Sequence, residues 1–353
     1  MTGERHGDAP SAPLPTRGTV LVARMDNVGD VLLAGPAVRA VAAHARRVVM
    51  LAGPRGRAAA ELLPGVDRVI EWHTPWIDPH PRAVRVDAVE ELIAAIRSEA
   101  PEAAFVLTSF HQSPLPLALV LRLADVPWIG AISEDYPGSL LDLRHRAPTG
   151  PPEAERMLSL VEEAGYLLPP GDRGAPAVRR PLPDTAHLTG RPGYIVVHAG
   201  ASAPARAIPR WLAAGTVAGL GAEGRRVVVT GADGDREDTA AIAGRAATDL
   251  GGRTGLAELA GVLRDAAALV TGNTGPAHLA AAVDTPVVSL FSPVVPASAW
   301  APYGTRLRLL GDQNAACKDT RARTCPVPGH PCLNSLSAAD VVAAVHDLIG
   351  EGT

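Results

Sequence analysis

The sequence predicts an α/β protein of two doubly wound, Rossmann-like domains facing a central cleft. Short apolar runs alternate with amphipathic ones in a βαβα order, which implies mostly parallel sheets covered by helices on both faces. This order lapses over a stretch rich in Pro and Gly and then starts again. The length, 353 residues, exceeds the usual size of one domain and suits two of roughly 150 residues each.

Taken in order, TVLVAR (19–24) reads as a buried strand, and the run from Asp30 to about His44 as one helix. RVVML (47–51) and RVIEW (68–72) read as strands, 87–98 as a helix and AAFVLT (103–108) as a strand. Residues 115–124 and 153–166 have helical periodicity. Residues 169–192 hold many Pro and Gly without a sustained period and read as a linker. The alternation resumes with strands YIVVHAG (194–200), RRVVVTG (225–231), AALVTG (267–272) and PVVSLF (286–291), and a last helix covers about 337–349. The expected organisation is a disordered tail over 1–17, an N-terminal domain over 18–168 and the linker 169–192. A C-terminal domain over 193–336 and a C-terminal helix over 337–353 follow. No short-period repeat is visible.

Composition narrows the function classes. A net charge of -4 and a pI near 6.3 do not supply the clustered basic face of a nucleic-acid binder. No apolar run approaches the roughly 20 residues that span a bilayer; peripheral membrane contact stays open. The polar, Pro-rich start MTGERHGDAPSAPLPTRG has no apolar signal core. Three cysteines, an odd number in a large chain, do not make a secreted disulfide scaffold. A cytoplasmic protein is expected.

Three strand-to-helix turns carry the chemistry. In TGNTGPAHLAAAVDTPVVSLFSPV (271–294) a polar turn follows a strand, and Pro276 suits the first helical turn, where a missing N–H costs nothing. Backbone amides opening there onto Asn273, Thr274 and Gly275 form a ready phosphate site. In MDNVGDVLLAGPAVRA (25–40), Asp30 reads as a helix N-cap or, alternatively, as a carboxylate base at the sheet's carboxyl edge. Asp26 and Asn27 share that turn and could orient a polar ligand. In HAGASAPARAIPRW (198–211), Ser202 can donate to an anionic oxygen, and Arg206 is read as the one cation of the turn, its fork matching phosphate oxygens. His198 and His278 read as mainly structural imidazoles.

Together the three segments resemble glycosyltransferase family 9, the ADP-heptose heptosyltransferases of GT-B fold, in the family's order and over residues 19 to 349. The resemblance implies an acceptor-binding N-terminal domain and a nucleotide-sugar-binding C-terminal one. It makes Asp30 the catalytic base, Arg206 the phosphate-binding cation with Ser202 nearby, and Thr274 and Gly275 the family's Thr-Gly, with Asn273 and His278 beside the donor. The activity implied is inverting transfer of a sugar, ADP-heptose being the expected donor, to a hydroxyl of a glycan or small molecule. No Asp-x-Asp motif of the metal-dependent glycosyltransferases is read at a strand end, so no obligatory metal or other cofactor is expected. A GT-B sugar-nucleotide epimerase and a non-catalytic nucleotide-sugar-binding relative are the alternatives.

Two departures bear on the donor. Asn273 stands where many family members have Asp, and Ile208 where a Trp often follows the cation. The acidic run ADGDRED (232–238) follows a strand, and Asp235 and Glu237 are candidates for ribose hydroxyls, or solvated helix-start acids. Cys317, Cys325, His330 and Cys332 form a zinc-type ligand set, but no close Cys-x-x-Cys pair is present, so packed reduced thiols are the default. For the acceptor, loop position points to Trp76 and His111, with Trp72 and His73 near them.

Overall fold

The computed structural model describes residues 14–147 and 150–350. The expected N-terminal tail therefore lies, up to residue 13, outside the described residues. The chain divides into two compact units. The first runs to Asn27 and continues through Pro36–Thr149 and Glu155–Arg173; the second takes in Val28–Gly35, Gly150–Ala154 and the chain from Gly174 onward.

The first unit holds six strands: β1 (Thr19–Arg24), β2 (Arg47–Ala52), β3 (Arg68–Glu71), β4 (Ala103–Val106), β5 (Ile129–Ile132) and β6 (Leu143–His145). Their order is β3-β2-β1-β4-β5-β6, and every pairing is parallel. All six residues of β1 are buried, as an inner strand covered on both faces requires. Leu21, Leu51, Val106, Leu117 and Leu121 belong to the core on one face. The scarce aromatics are concentrated, with Phe105 edge-to-face against both Trp128 and Tyr166 at 5.3 Å between centroids.

The second unit repeats the plan with β7 (Tyr194–His198), β8 (Val227–Thr230), β9 (Thr248–Asp249), β10 (Ala266–Gly272), β11 (Val287–Leu290) and β12 (Leu307–Leu310). Their order is β12-β11-β10-β7-β8-β9, again all parallel. The final helix, Ala338–Gly350, buries Val341, Val345 and Leu348 in this unit's core. Two six-stranded parallel sheets of one topology are the doubly wound α/β architecture expected.

Differences from the sequence expectation are local. The helix foreseen from Asp30 to about His44 is two, Val28–Leu33 and Gly35–Ala42. Pro36 has no N–H to donate, and Gly35 is a poor helix former, so the chain breaks at that junction. The segment 169–192 contains one short helix, Ala186–Thr189. β5, β6, β9 and β12 were not foreseen; of these, β6 and β9 have only three and two residues, too few for a period to show. Among the described residues no helix is long and apolar enough to cross a membrane.

Candidate functional site

Ligands of doubly wound sheets bind outside the carboxyl ends of the strands, and the three turns lie there. Val28–Gly35 follows β1 in sequence but belongs to the second unit. Its helix packs on the helix Gly275–Ala281 so closely that a Cβ on Gly29 would come 2.7 Å from Cδ2 of His278 and 3.3 Å from Cα of Gly275. Only glycine permits that approach. The second turn is seated equally tightly: the short 3₁₀ helix Pro204–Arg206 sets the Arg206 carbonyl oxygen 2.1 Å from where a Cβ of Gly272 would lie.

These packings bring Asp30, Arg206 and His278 into one electrostatic neighbourhood. The guanidinium of Arg206 is depressed below the usual arginine range, first by burial, with the charge of Asp30 pulling it back up and Arg321 and Arg323 pushing it further down. Its Nε is buried without a hydrogen-bond partner among the described residues. Burial pushes His278 down to about 4, against the pull of Asp30, so its imidazole is neutral at pH 7. Nδ1 of that ring is likewise buried and unpartnered among the described residues.

Asn273 is buried. Its Nδ2 donates to the Ser292 carbonyl at 3.4 Å, and its Oδ1 has no partner among the described residues. Thr274 is the N-cap residue of the helix, extended and without a side-chain cap bond; its hydroxyl lies 3.4 Å from that of Thr271. Gly275 opens the helix, and Pro276 occupies its first turn. That helix has seven residues, so its dipole is small and the side chains carry most of the charge complementarity.

Other sequence candidates fall into place unequally. Ser202 is exposed, and its carbonyl accepts from Nη2 of Arg323 at 2.9 Å. Asp235 lies against Gly200, whose Cβ would meet its Oδ2 at 2.1 Å, and it accepts from the Ala232 amide. Glu237 is exposed. His198 is pushed down to about 4 by burial, Asp235 opposing, and its Nδ1 meets the Thr230 hydroxyl at 3.0 Å. The reading that no Asp-x-Asp follows a strand needs correcting, because Asp233-Gly234-Asp235 follows β8 after Gly231 and Ala232. Both carboxylates are engaged locally, Asp233 by Arg236 at 2.7 Å and Asp235 by the Ala232 amide.

The first unit presents a different edge. Asp26 pairs with the buried Arg24 at 3.0 Å and accepts from Nε2 of Gln112 at 2.5 Å; Arg24 also donates to the Ser109 hydroxyl at 2.7 Å. Asn27 is half-buried beside them in sequence. Trp76 packs against the first core and against Trp72, 5.4 Å between centroids, so much of its ring is structural. His111 is exposed. With Phe110, Gln112, Ser133 and Arg156 it lines a cavity of about 180 Å³.

Cys317 and Cys332 are buried free thiols in the second core, and Cys325 and His330 are half-buried. Burial pushes the Cys332 thiol up to about 11. Among the described residues no group of three His, Cys, Asp or Glu side chains is arranged to hold a metal ion. Sequence reasoning missed Arg24, Gln112, Arg321 and Arg323. The last two had a signal in the basic run KDTRAR (318–323), but nothing local says that it reaches residue 206.

The profile of glycosyltransferase family 9 (heptosyltransferase) matches residues 92–330, more than half of the chain. The chain belongs to this family. Among solved structures it is similar to the ADP-heptose LPS heptosyltransferase II of E. coli, with 20% identity, a TM-score of 0.75, and 94% of this chain and 99% of that one covered. A glycosyl transferase family 9 protein from Veillonella parvula DSM 2008 matches with 16% identity, TM-score 0.76 and coverage of 98% and 100%. The E. coli heptosyltransferase WaaC, solved with ADP, matches with 19% identity, TM-score 0.68 and coverage of 94% and 99%. No curated protein sequence matches the chain. The fold is thus GT-B, and the chain is a family 9 glycosyltransferase.

Proposed function

We propose that this family 9 glycosyltransferase transfers heptose from ADP-heptose to an acceptor hydroxyl, with inversion and without an obligatory metal. The observation that carries the reading is the meeting of Asp30, Arg206 and His278 in one unit, from three segments far apart in sequence. The E. coli heptosyltransferase WaaC has been solved with ADP and with ADP-2-deoxy-2-fluoro heptose, which supports the donor class.

The reaction is a single displacement. As the acceptor oxygen bonds to the anomeric carbon, its proton passes to a carboxylate oxygen of Asp30. The bond from that carbon to the diphosphate oxygen breaks at the same time, and its electron pair leaves on ADP. One in-line step inverts the anomeric centre. Arg206, the Thr274 and Gly275 amides and Ser202 neutralise the charge growing on the diphosphate; losing one such donor typically costs about 3 kcal/mol of transition-state stabilisation, roughly a hundredfold in rate. His278, neutral beside Asp30, leaves the carboxylate's charge available for the proton. Asn273, whose buried Oδ1 has no partner among the described residues, would accept from a sugar hydroxyl where a carboxylate would add charge. Asp235 is the stronger ribose candidate, because Glu237 faces solvent.

Asp30→Asn tests the base. Removing a general base lowers rate by about 10²- to 10⁴-fold, while calorimetric ADP affinity should stay within about twofold of wild type, since the variant keeps the shape of the site. Transfer at the wild-type rate by Asp30→Asn would overturn the assignment. A screen of ADP, UDP and GDP fixes the nucleotide, preference for UDP or GDP excluding ADP-heptose. Undiminished transfer in EDTA is expected, and loss restored by a divalent ion would refute metal independence.

A further inference from the structure

We infer that Arg321 and Arg323, carried on the loop between Cys317 and Cys332, join Arg206 in binding the diphosphate of the nucleotide-sugar donor. This rests on reading Arg206 as a diphosphate ligand and extends that site to a segment far along the chain.

The loop is fastened at both ends and along its length. Cys317 and Cys332 are fully buried in the second core, and the Cys332 thiol reaches the Ser292 hydroxyl at 4.0 Å. The Asp319 and Arg321 amides donate to the Pro293 and Val294 carbonyls at 2.8 and 2.7 Å, just beyond β11. The loop then clasps the second turn: Nη2 of Arg323 donates to the Ser202 carbonyl at 2.9 Å, and the Ala205 amide donates to the Arg323 carbonyl at 2.9 Å. Such anchoring holds two guanidinium groups near a third that is already short of partners.

Arg206 feels repulsion from both loop arginines and attraction from Asp30, and its buried Nε makes no bond among the described residues. Like charges gathered in a partly desolvated place raise the free energy of the empty protein. A diphosphate, with two or more negative charges and planar-matched oxygens, relieves that repulsion and takes the guanidinium forks in two-pronged geometry.

Calorimetric titration of the full chain with inorganic pyrophosphate, which has no base, and with ADP tests this. The double variant Arg321→Ala/Arg323→Ala should lose about tenfold or more in affinity for both, as expected for charge-assisted hydrogen bonds, and its binding should depend less steeply on salt. Adenosine affinity should not change. Arg323→Gln keeps a donor for the Ser202 carbonyl without the charge, and Arg323→Lys keeps the charge without the fork. The inference requires Gln to bind weakly and Lys to recover part of the affinity; full recovery by Gln would overturn it. If Arg206→Ala loses pyrophosphate binding and the double variant does not, the loop arginines are structural and the Arg206 reading survives. Wild-type affinity in both variants would sink the diphosphate reading and this inference with it.

Discussion

The two units share a six-stranded topology but treat charge at the strand ends in opposite ways. At the end of β1 the fully buried Arg24 is matched by Asp26 and by the Ser109 hydroxyl, and Asp26 is matched again by Gln112. At the ends of β7 and β10, Arg206 Nε, Asn273 Oδ1 and His278 Nδ1 are buried without partners among the described residues. Arg206 there feels the charge of Asp30 and the like charges of Arg321 and Arg323. A buried polar group left unmatched costs stability, and on the function proposed above these atoms are kept for a ligand. One edge is wired to itself, which makes it rigid. On the same proposal, the other is completed by an anion.

The sharpest way to break this contrast is to remove a buried arginine from each edge. Arg24→Met leaves Asp26 with its charge and without its cation, and stability should fall by about 3–5 kcal/mol, the usual cost of splitting a buried pair. Arg206→Met removes a guanidinium whose buried Nε has no hydrogen-bond partner among the described residues, so stability should change by less than about 1 kcal/mol or rise, while ADP affinity falls. Denaturant unfolding of both proteins measures the difference. Equal destabilisation would mean that Arg206 is as well matched as Arg24 and that the contrast is false.

The sheets and motifs were largely legible in the sequence because they are local. β1, β2, β7 and β10 are apolar runs ending in turns, and Asp30, Arg206 and Thr274 sit in those turns at recognisable spacing. What was not legible depends on contacts across long separations. The Asp26–Gln112 bond spans 86 positions and the Ser202–Arg323 bond 121, and no periodicity reports such pairs. Arg206 was therefore taken as the one cation of its turn, and the loop that supplies two more was read only for its cysteines. The break after Leu33 was local and could have been read from Gly35 and Pro36.

A smaller effect sharpens the same comparison through pH. His198 and His278, both in the second unit, are pushed down to about 4 by burial, whereas an unfolded histidine titrates near 6.5. Between these values the unfolded chain binds protons that the folded chain refuses, so folding stability rises with pH across that window and is lost as pH falls through it. Each imidazole adds a slope of up to about 1.4 kcal/mol per pH unit. A variant isolates the histidines' share of the profile. Replacing both, as His198→Asn with His278→Gln, should flatten the stability profile from pH 6.5 to 5 by up to about two protons' worth of slope. A profile as steep as wild type would show that neither imidazole is held neutral.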